Sequence, residues 1–269
     1  MQSANLIFRH STIHYSYGGN GQELLLCLHG YGESAHTFHF LQPHLQDRYQ
    51  LVAIDLPFHG HTVWNEQAPL TVADLFILIE AIFKELGHAG KPFTLLGFSM
   101  GGRIALGLTE YAPATVKKLV LLAPDGLKVN FWYWLATQTR IGSRLFYYTM
   151  KHPGWFFSIM TLAHRFGWVN PSALKFARHY IQDQDRRMEL YQRWMAFRKI
   201  RPQLGRIKSL VRQHQLPVRL LYGGFDRIIV SSRGALFRKH IEEHCSITII
   251  KAGHQVLQDK YAAEIIGLL

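Results

Sequence analysis

Short apolar runs alternate along the chain with stretches whose apolar residues recur every three or four positions, and these two periods specify different elements. Residues 5–9 and 12–17 read as two short strands forming a hairpin, while 24–28, 50–54, 93–96, 119–122, 218–222 and 246–251 are compact runs of the kind that become buried strands. Between them, 34–46, 71–86 and 101–110 read as helices. This order predicts an α/β fold, a mostly parallel eight-stranded sheet flanked by helices. The alternation is broken once. From 127 to 213 there are only helical-looking stretches between Gly142, Pro153, Gly154, Gly167, Pro171, Pro202 and Gly205. An all-helical insertion is therefore expected at 127–213, with 1–126 and 214–269 forming the core domain.

The junction between the run at 93–96 and the helix at 101–110 reads Gly97-Phe98-Ser99-Met100-Gly101-Gly102-Arg103. A serine there, flanked at two residues' distance by glycines, sits on a sharp strand-to-helix turn that lifts its hydroxyl from the sheet edge. The helix that follows directs its first N–H groups toward any oxyanion formed beside it. A nucleophilic serine needs a histidine to take its proton and a carboxylate to hold that histidine's tautomer. Asp226, just beyond the run at 218–222, and His254, in the loop after 246–251, are the candidates. Asp125, after the run at 119–122, is a second candidate for the acid.

The order Ser99, Asp226, His254 is that of the α/β-hydrolases, and the chain resembles that superfamily over almost its whole length. Two further segments carry the resemblance: His29-Gly30-Tyr31-Gly32 after a buried run, and Ile54-Asp55-Leu56-Pro57-Phe58-His59-Gly60-His61, where Phe58 stands at a position often held by glycine. The resemblance implies a serine hydrolase acting on a carboxylic ester or thioester, with oxyanion-hole amides from Tyr31 and Met100, His29 as a structural support, and no cofactor or metal. It also implies that the insertion is a cap over the active site. The string around Ser99 is locally similar to the menaquinone-pathway synthase MenH, which implies that Arg103 binds a substrate carboxylate. A lyase or carbon–carbon bond hydrolase is accordingly one alternative; a non-catalytic ligand receptor on the same scaffold is another.

Charge is unevenly distributed. The 269 residues carry 30 Lys and Arg against 18 Asp and Glu, a net charge of +12, and 127–213 alone holds 16 basic and 3 acidic residues. The insertion is thus at +13 and the remainder at −1. An amphipathic surface helix is expected around 186–199, where apolar and basic residues alternate, and the basic excess suits an acidic carrier protein or an anionic lipid surface beside a small-molecule substrate. Nucleic acid is disfavoured, since no nucleic-acid module appears. Aromatic residues crowd the same region, among them Trp132, Tyr133, Phe146, Tyr148 and Trp168. They suit a lid core and a substrate with an apolar portion. Cys27 and Cys245 give neither a disulfide framework nor a metal spacing, and His36, His39, His44, His59 and His61 read as packing or surface residues. No signal-peptide pattern or apolar run of about 20 residues occurs, so a cytoplasmic protein without a transmembrane segment is expected.

Overall fold

The computed structural model describes residues 1–128, 131–166 and 181–269; Gly167, Trp168 and Pro171, read above as parts of the insertion, lie outside the described residues. The strands are β1 (Gln2–Phe8), β2 (Ser11–Gly18), β3 (Glu23–Leu28), β4 (Tyr49–Ile54), β5 (Phe93–Phe98), β6 (Val116–Leu122), β7 (Val218–Gly223) and β8 (Cys245–Ile250). They form one sheet in the order β1-β2-β4-β3-β5-β6-β7-β8. β2 pairs antiparallel with both β1 and β4, and every other neighbouring pair is parallel. All six residues of β5 are buried, as expected of a central strand covered on both faces.

Among the described residues the helices are α1 (Gln42–Leu45), α2 (Val72–Glu85), α3 (Met100–Tyr111), α4 (Phe131–Gln138), α5 (Arg140–Lys151), α6 (Gly154–Arg165), α7 (Gln184–Ala196), α8 (Leu204–Gln213), α9 (Ser232–Arg238) and α10 (Ala262–Ile266). α2 starts where its sequence says it should. Thr71 accepts from the Asp74 N–H while the Asp74 carboxylate accepts from the Thr71 N–H, a capping box that satisfies two otherwise orphaned donors. The helix expected at 34–46 is instead a 3-10 segment, Ala35–Leu41, followed by the single turn of α1. Ser34 makes no side-chain cap there, and the Ala35 N–H is taken by the buried Asp55 carboxylate at 2.6 Å.

The chain divides into two compact units, Met1–Lys128 with Lys199–Leu269, and Val129–Arg198. The first contains the sheet and also α8, although α8 lies within the insertion expected at 127–213. Its core gathers residues such as Phe38, Leu51, Leu96, Val120 and Leu221, all fully buried.

Four helices, α4 to α7, make up the described elements of the second unit, where α5 packs on α4 and α7. Aromatic rings fill that junction: Tyr133 meets Trp194 at 5.1 Å, and Phe146 lies 5.3 Å from both Trp194 and Tyr191. α7 covers much of the amphipathic run expected at 186–199, with one correction: Arg187 is buried and not on a solvated face. Its guanidinium donates to the carbonyl of Met150 at 2.5 Å and to that of Gln182 at 3.1 Å. It thereby satisfies a carbonyl left open at the C-terminus of α5.

Candidate active site

The parallel register brings one end of the sheet into line. Leu28 is level with Gly97, Gly97 with Leu121, Leu122 with Leu221, and Gly223 with Ile250. The loops leaving β3, β5, β7 and β8 therefore share one edge. The chain runs from β3 to β4 on one side and then to β5 on the other, so the order of strand addition reverses between β3 and β5. Carboxyl ends of strands at such a switch are where open α/β sheets hold their ligands.

Ser99 occupies that crevice between β5 and α3. Its backbone has φ 49° and ψ −113°, a strained conformation for a residue with a side chain. Two close approaches make it accessible: a Cβ at Gly97 would stand 2.6 Å from the Gly101 carbonyl oxygen, and one at Gly101 would stand 2.0 Å from that of Leu28. Only glycine fits at either position. The serine carbonyl accepts from the N–H groups of Gly102 and Asp125, each at 2.9 Å, which holds the turn from both sides.

The Ser99 hydroxyl donates to His254 Nε2 at 3.0 Å, and His254 Nδ1 donates to Asp226 Oδ2 at 2.8 Å. The second carboxylate oxygen of Asp226 accepts from the Ile228 and Ile229 N–H groups at 2.7 and 2.9 Å. With Asp226 buried and anchored in this way, the Nδ1–H tautomer of His254 is fixed and the Nε2 lone pair faces the serine. The Asp226 loop is in turn tied to the β8 end, because Gly224 and Phe225 donate to the carbonyls of Ile250 and Ala252. The Phe98 ring lies 5.5 Å from the His254 ring, tilted by 34°.

Tyr31 lies in the loop after β3, and Met100 directly follows Ser99. Met100 is the first residue of α3, so its N–H belongs to the turn whose amides have no helical carbonyl to meet. Tyr31 lies in a loop fixed by His29, whose Nδ1 donates to the Gly30 carbonyl at 2.7 Å and whose Nε2 accepts from the Leu56 N–H at 3.0 Å. Phe58 adopts φ 62°, the left-handed conformation that explains why glycine suits its position.

Asp125 and Arg103 have another arrangement. Arg103 Nε lies 3.4 Å from Asp125 Oδ2, and only 11% of the arginine side chain is exposed. Asp125 also accepts from the Gly126 N–H. The two expected candidates for acid and substrate anchor thus form an internal pair. Among the described residues no group of three or more His, Cys, Asp or Glu could hold a metal ion. Cys27 and Cys245 are buried free thiols.

Glu33 joins the site without any motif of its own. Its carboxylate accepts from the Gly30 N–H at 3.2 Å and is hydrogen-bonded by the Gln255 side chain, next to His254. Glu33 therefore bridges the loop of Tyr31 to the loop of His254. Burial raises its pKa above the ordinary glutamate value despite the lowering effects of Gly30, Gln255 and His254. The only available signal was its place three residues after Gly30, since the partner at 255 is remote in sequence.

A family model described as the α/β hydrolase fold matches residues 23–261. The chain belongs to the α/β hydrolase family. Among its relatives, the uncharacterized hydrolase YugF of Bacillus subtilis is 25% identical over 253 residues, 93% of this chain and 90% of that protein. Esterase Rv0045c of Mycobacterium tuberculosis is 33% identical over 106 residues, 39% of this chain and 34% of its own length. A thermophilic esterase from Thermogutta terrifontis has the same fold, with a TM-score of 0.70 at 16% identity, over 100% of this chain and 97% of that one.

Proposed function

We propose that this α/β hydrolase is a serine hydrolase that cleaves a carboxylic ester or thioester with an apolar portion through an acyl-enzyme. The observation that carries this reading is the unbroken hydrogen-bonded line from Ser99 Oγ through His254 to an anchored, buried Asp226. In the proposed reaction Ser99 Oγ adds to the substrate carbonyl carbon while His254 Nε2 takes the hydroxyl proton. Asp226 stabilises the resulting imidazolium, and the Tyr31 and Met100 N–H groups receive the oxyanion. Collapse of the tetrahedral intermediate expels the alcohol or thiol, which takes its proton from His254. Water, deprotonated by the same nitrogen, then attacks the acyl carbonyl, and a second collapse releases the acid and restores the serine. The relatives named esterases support this reaction class. The lyase alternative rests on Arg103 and on the basic insertion, and the pairing of Arg103 with Asp125 gives the arginine's charge an internal use.

The test is labelling by a fluorophosphonate probe together with hydrolysis of p-nitrophenyl esters and acyl thioesters. Ser99→Ala is expected to abolish labelling and to lower turnover by roughly 10⁴-fold or more while leaving the melting temperature close to that of the wild type. Labelling that persists in the variant would place the nucleophile elsewhere.

A further inference from the structure

Between Asp125 and Asp183 the sequence contains neither aspartate nor glutamate, and helices α4, α5 and α6 all lie within that stretch. Their exposed surface is not that of water-facing helices. On α5, Ile141, Leu145 and Tyr148 recur at a spacing of four and three, which places them on one face, and they are 82%, 50% and 55% exposed. At 100° per residue, Arg144, Lys151 and Arg140 fall along one edge of that stripe. The opposite side of the same helix carries the buried Gly142, Thr149 and Met150, so α5 already has its packing face.

α6 repeats the arrangement. Ile159 and Leu162 are each 56% exposed, with Arg165 beside them, and on α4 the Trp132 side chain is 71% exposed. A helix bathed only in water would place polar groups at such positions.

Large aliphatic and aromatic side chains edged by lysine and arginine, with no acid among them, are the composition of helices that lie in a membrane interface. The apolar stripe enters the acyl boundary while the cationic heads remain among anionic headgroups. No helix among the described residues is long and apolar enough to cross a bilayer, so such binding would be peripheral. An acidic protein would satisfy the charge. Two successive stripes of exposed aliphatic side chains, with cations along their edge and no acid among them, match the acyl boundary and its anionic headgroups more fully.

We propose that the exposed faces of α5 and α6 form a docking surface for anionic phospholipid. Ile141, Leu145, Ile159 and Leu162 insert into the interface, and Arg140, Arg144, Lys151 and Arg165 contact the headgroups. This assignment is independent of the hydrolase chemistry and applies equally to Ser99→Ala protein.

Co-sedimentation of the full chain with phosphatidylcholine vesicles, and with vesicles that also contain phosphatidylglycerol, tests it. Binding to the anionic vesicles is expected to be at least about tenfold tighter and to weaken as salt is raised. Arg140→Gln with Arg144→Gln should weaken anionic binding by about fivefold per arginine and so erode the preference. Ile141→Ser with Leu145→Ser should reduce binding to both kinds of vesicle by about tenfold or more. Circular dichroism checks that each variant is folded, and Ile141→Ser alone, at the most exposed of these positions, serves if the pair unfolds. Absence of sedimentation with either vesicle, or binding unchanged in both double variants, would overturn the proposal. So would binding to a purified acidic acyl carrier protein without any vesicle association.

Discussion

At the scale of single residues, two carboxylates are candidates for the proposed role of acid, and sheet register places them in different surroundings. Asp125 and Asp226 both follow apolar runs, and nothing in a linear reading shows which loop lies beside His254. The pairing of Gly223 with Ile250 puts the β7 and β8 loops side by side, while Asp125 meets Arg103 from α3. Asp226→Asn is expected to lower turnover by about 10⁴-fold, because the amide favours the wrong imidazole tautomer, whereas Asp125→Asn should change it far less. Steady-state kinetics on one ester give the ranking, and its reversal would move the acid to the earlier strand.

Glu33 extends the same argument to pH. Its pKa is raised in the folded protein by burial, so between the ordinary carboxylate value and the raised one the folded chain keeps a proton that the unfolded chain has released. Stability from this group therefore falls as pH rises through that window. Glu33→Gln keeps an acceptor for the Gly30 N–H but removes the titration. Melting curves from about pH 4 to about pH 7 should show the variant gaining on the wild type as pH increases. A difference independent of pH would mean that the carboxyl titrates alike in both states.

At the scale of elements, periodicity was informative wherever a segment carries its own partners. The hairpin of β1 and β2, the buried strands, and α2 with its Thr71–Asp74 cap are all readable because their signals are local. The 34–46 segment departs from the single helix its pattern predicts, because its start depends on Asp55, twenty residues away, and not on its own cap. Arg187 was likewise unreadable as an interior residue, since the Met150 carbonyl it serves lies on another helix.

Asp55 shows how much one such long-range contact carries. The 1%-exposed carboxylate accepts from the Ala35 N–H, from the His61 N–H at 2.8 Å and from His14 Nδ1 at 2.8 Å, joining β2, β4 and the 3-10 segment. Asp55→Ala leaves the buried Ala35 N–H and the part-buried donors of His14 and His61 without this acceptor and should cost about 3 kcal/mol. Urea denaturation should report this as a lower midpoint with an unchanged slope. A loss below about 0.5 kcal/mol, typical of uneventful surface changes, would show that water or a backbone shift replaces the carboxylate.

At the scale of the whole molecule, charge was legible from composition and its arrangement was not. The count of +13 within 127–213 is a sequence fact, but Arg187 is consumed internally and Arg193 lies 3.1 Å from Glu189, so the cations facing solvent could be chosen only once the helices were packed. The net charge of +12 nevertheless sets a field that any ionic substrate meets on approach. Attraction of this kind is screened over about 10 Å at 0.1 M salt, so it acts on encounter at low ionic strength and fades as salt is added. For an ester bearing a carboxylate away from the scissile bond, kcat/KM should therefore fall as sodium chloride is raised, while a neutral ester of the same size changes little. Because the field acts before binding is complete, kcat should stay nearly constant and the loss should appear in KM. Parallel responses for the two esters would show that the basic surface contributes nothing to capture of the substrate, whatever it contributes to docking on a lipid surface.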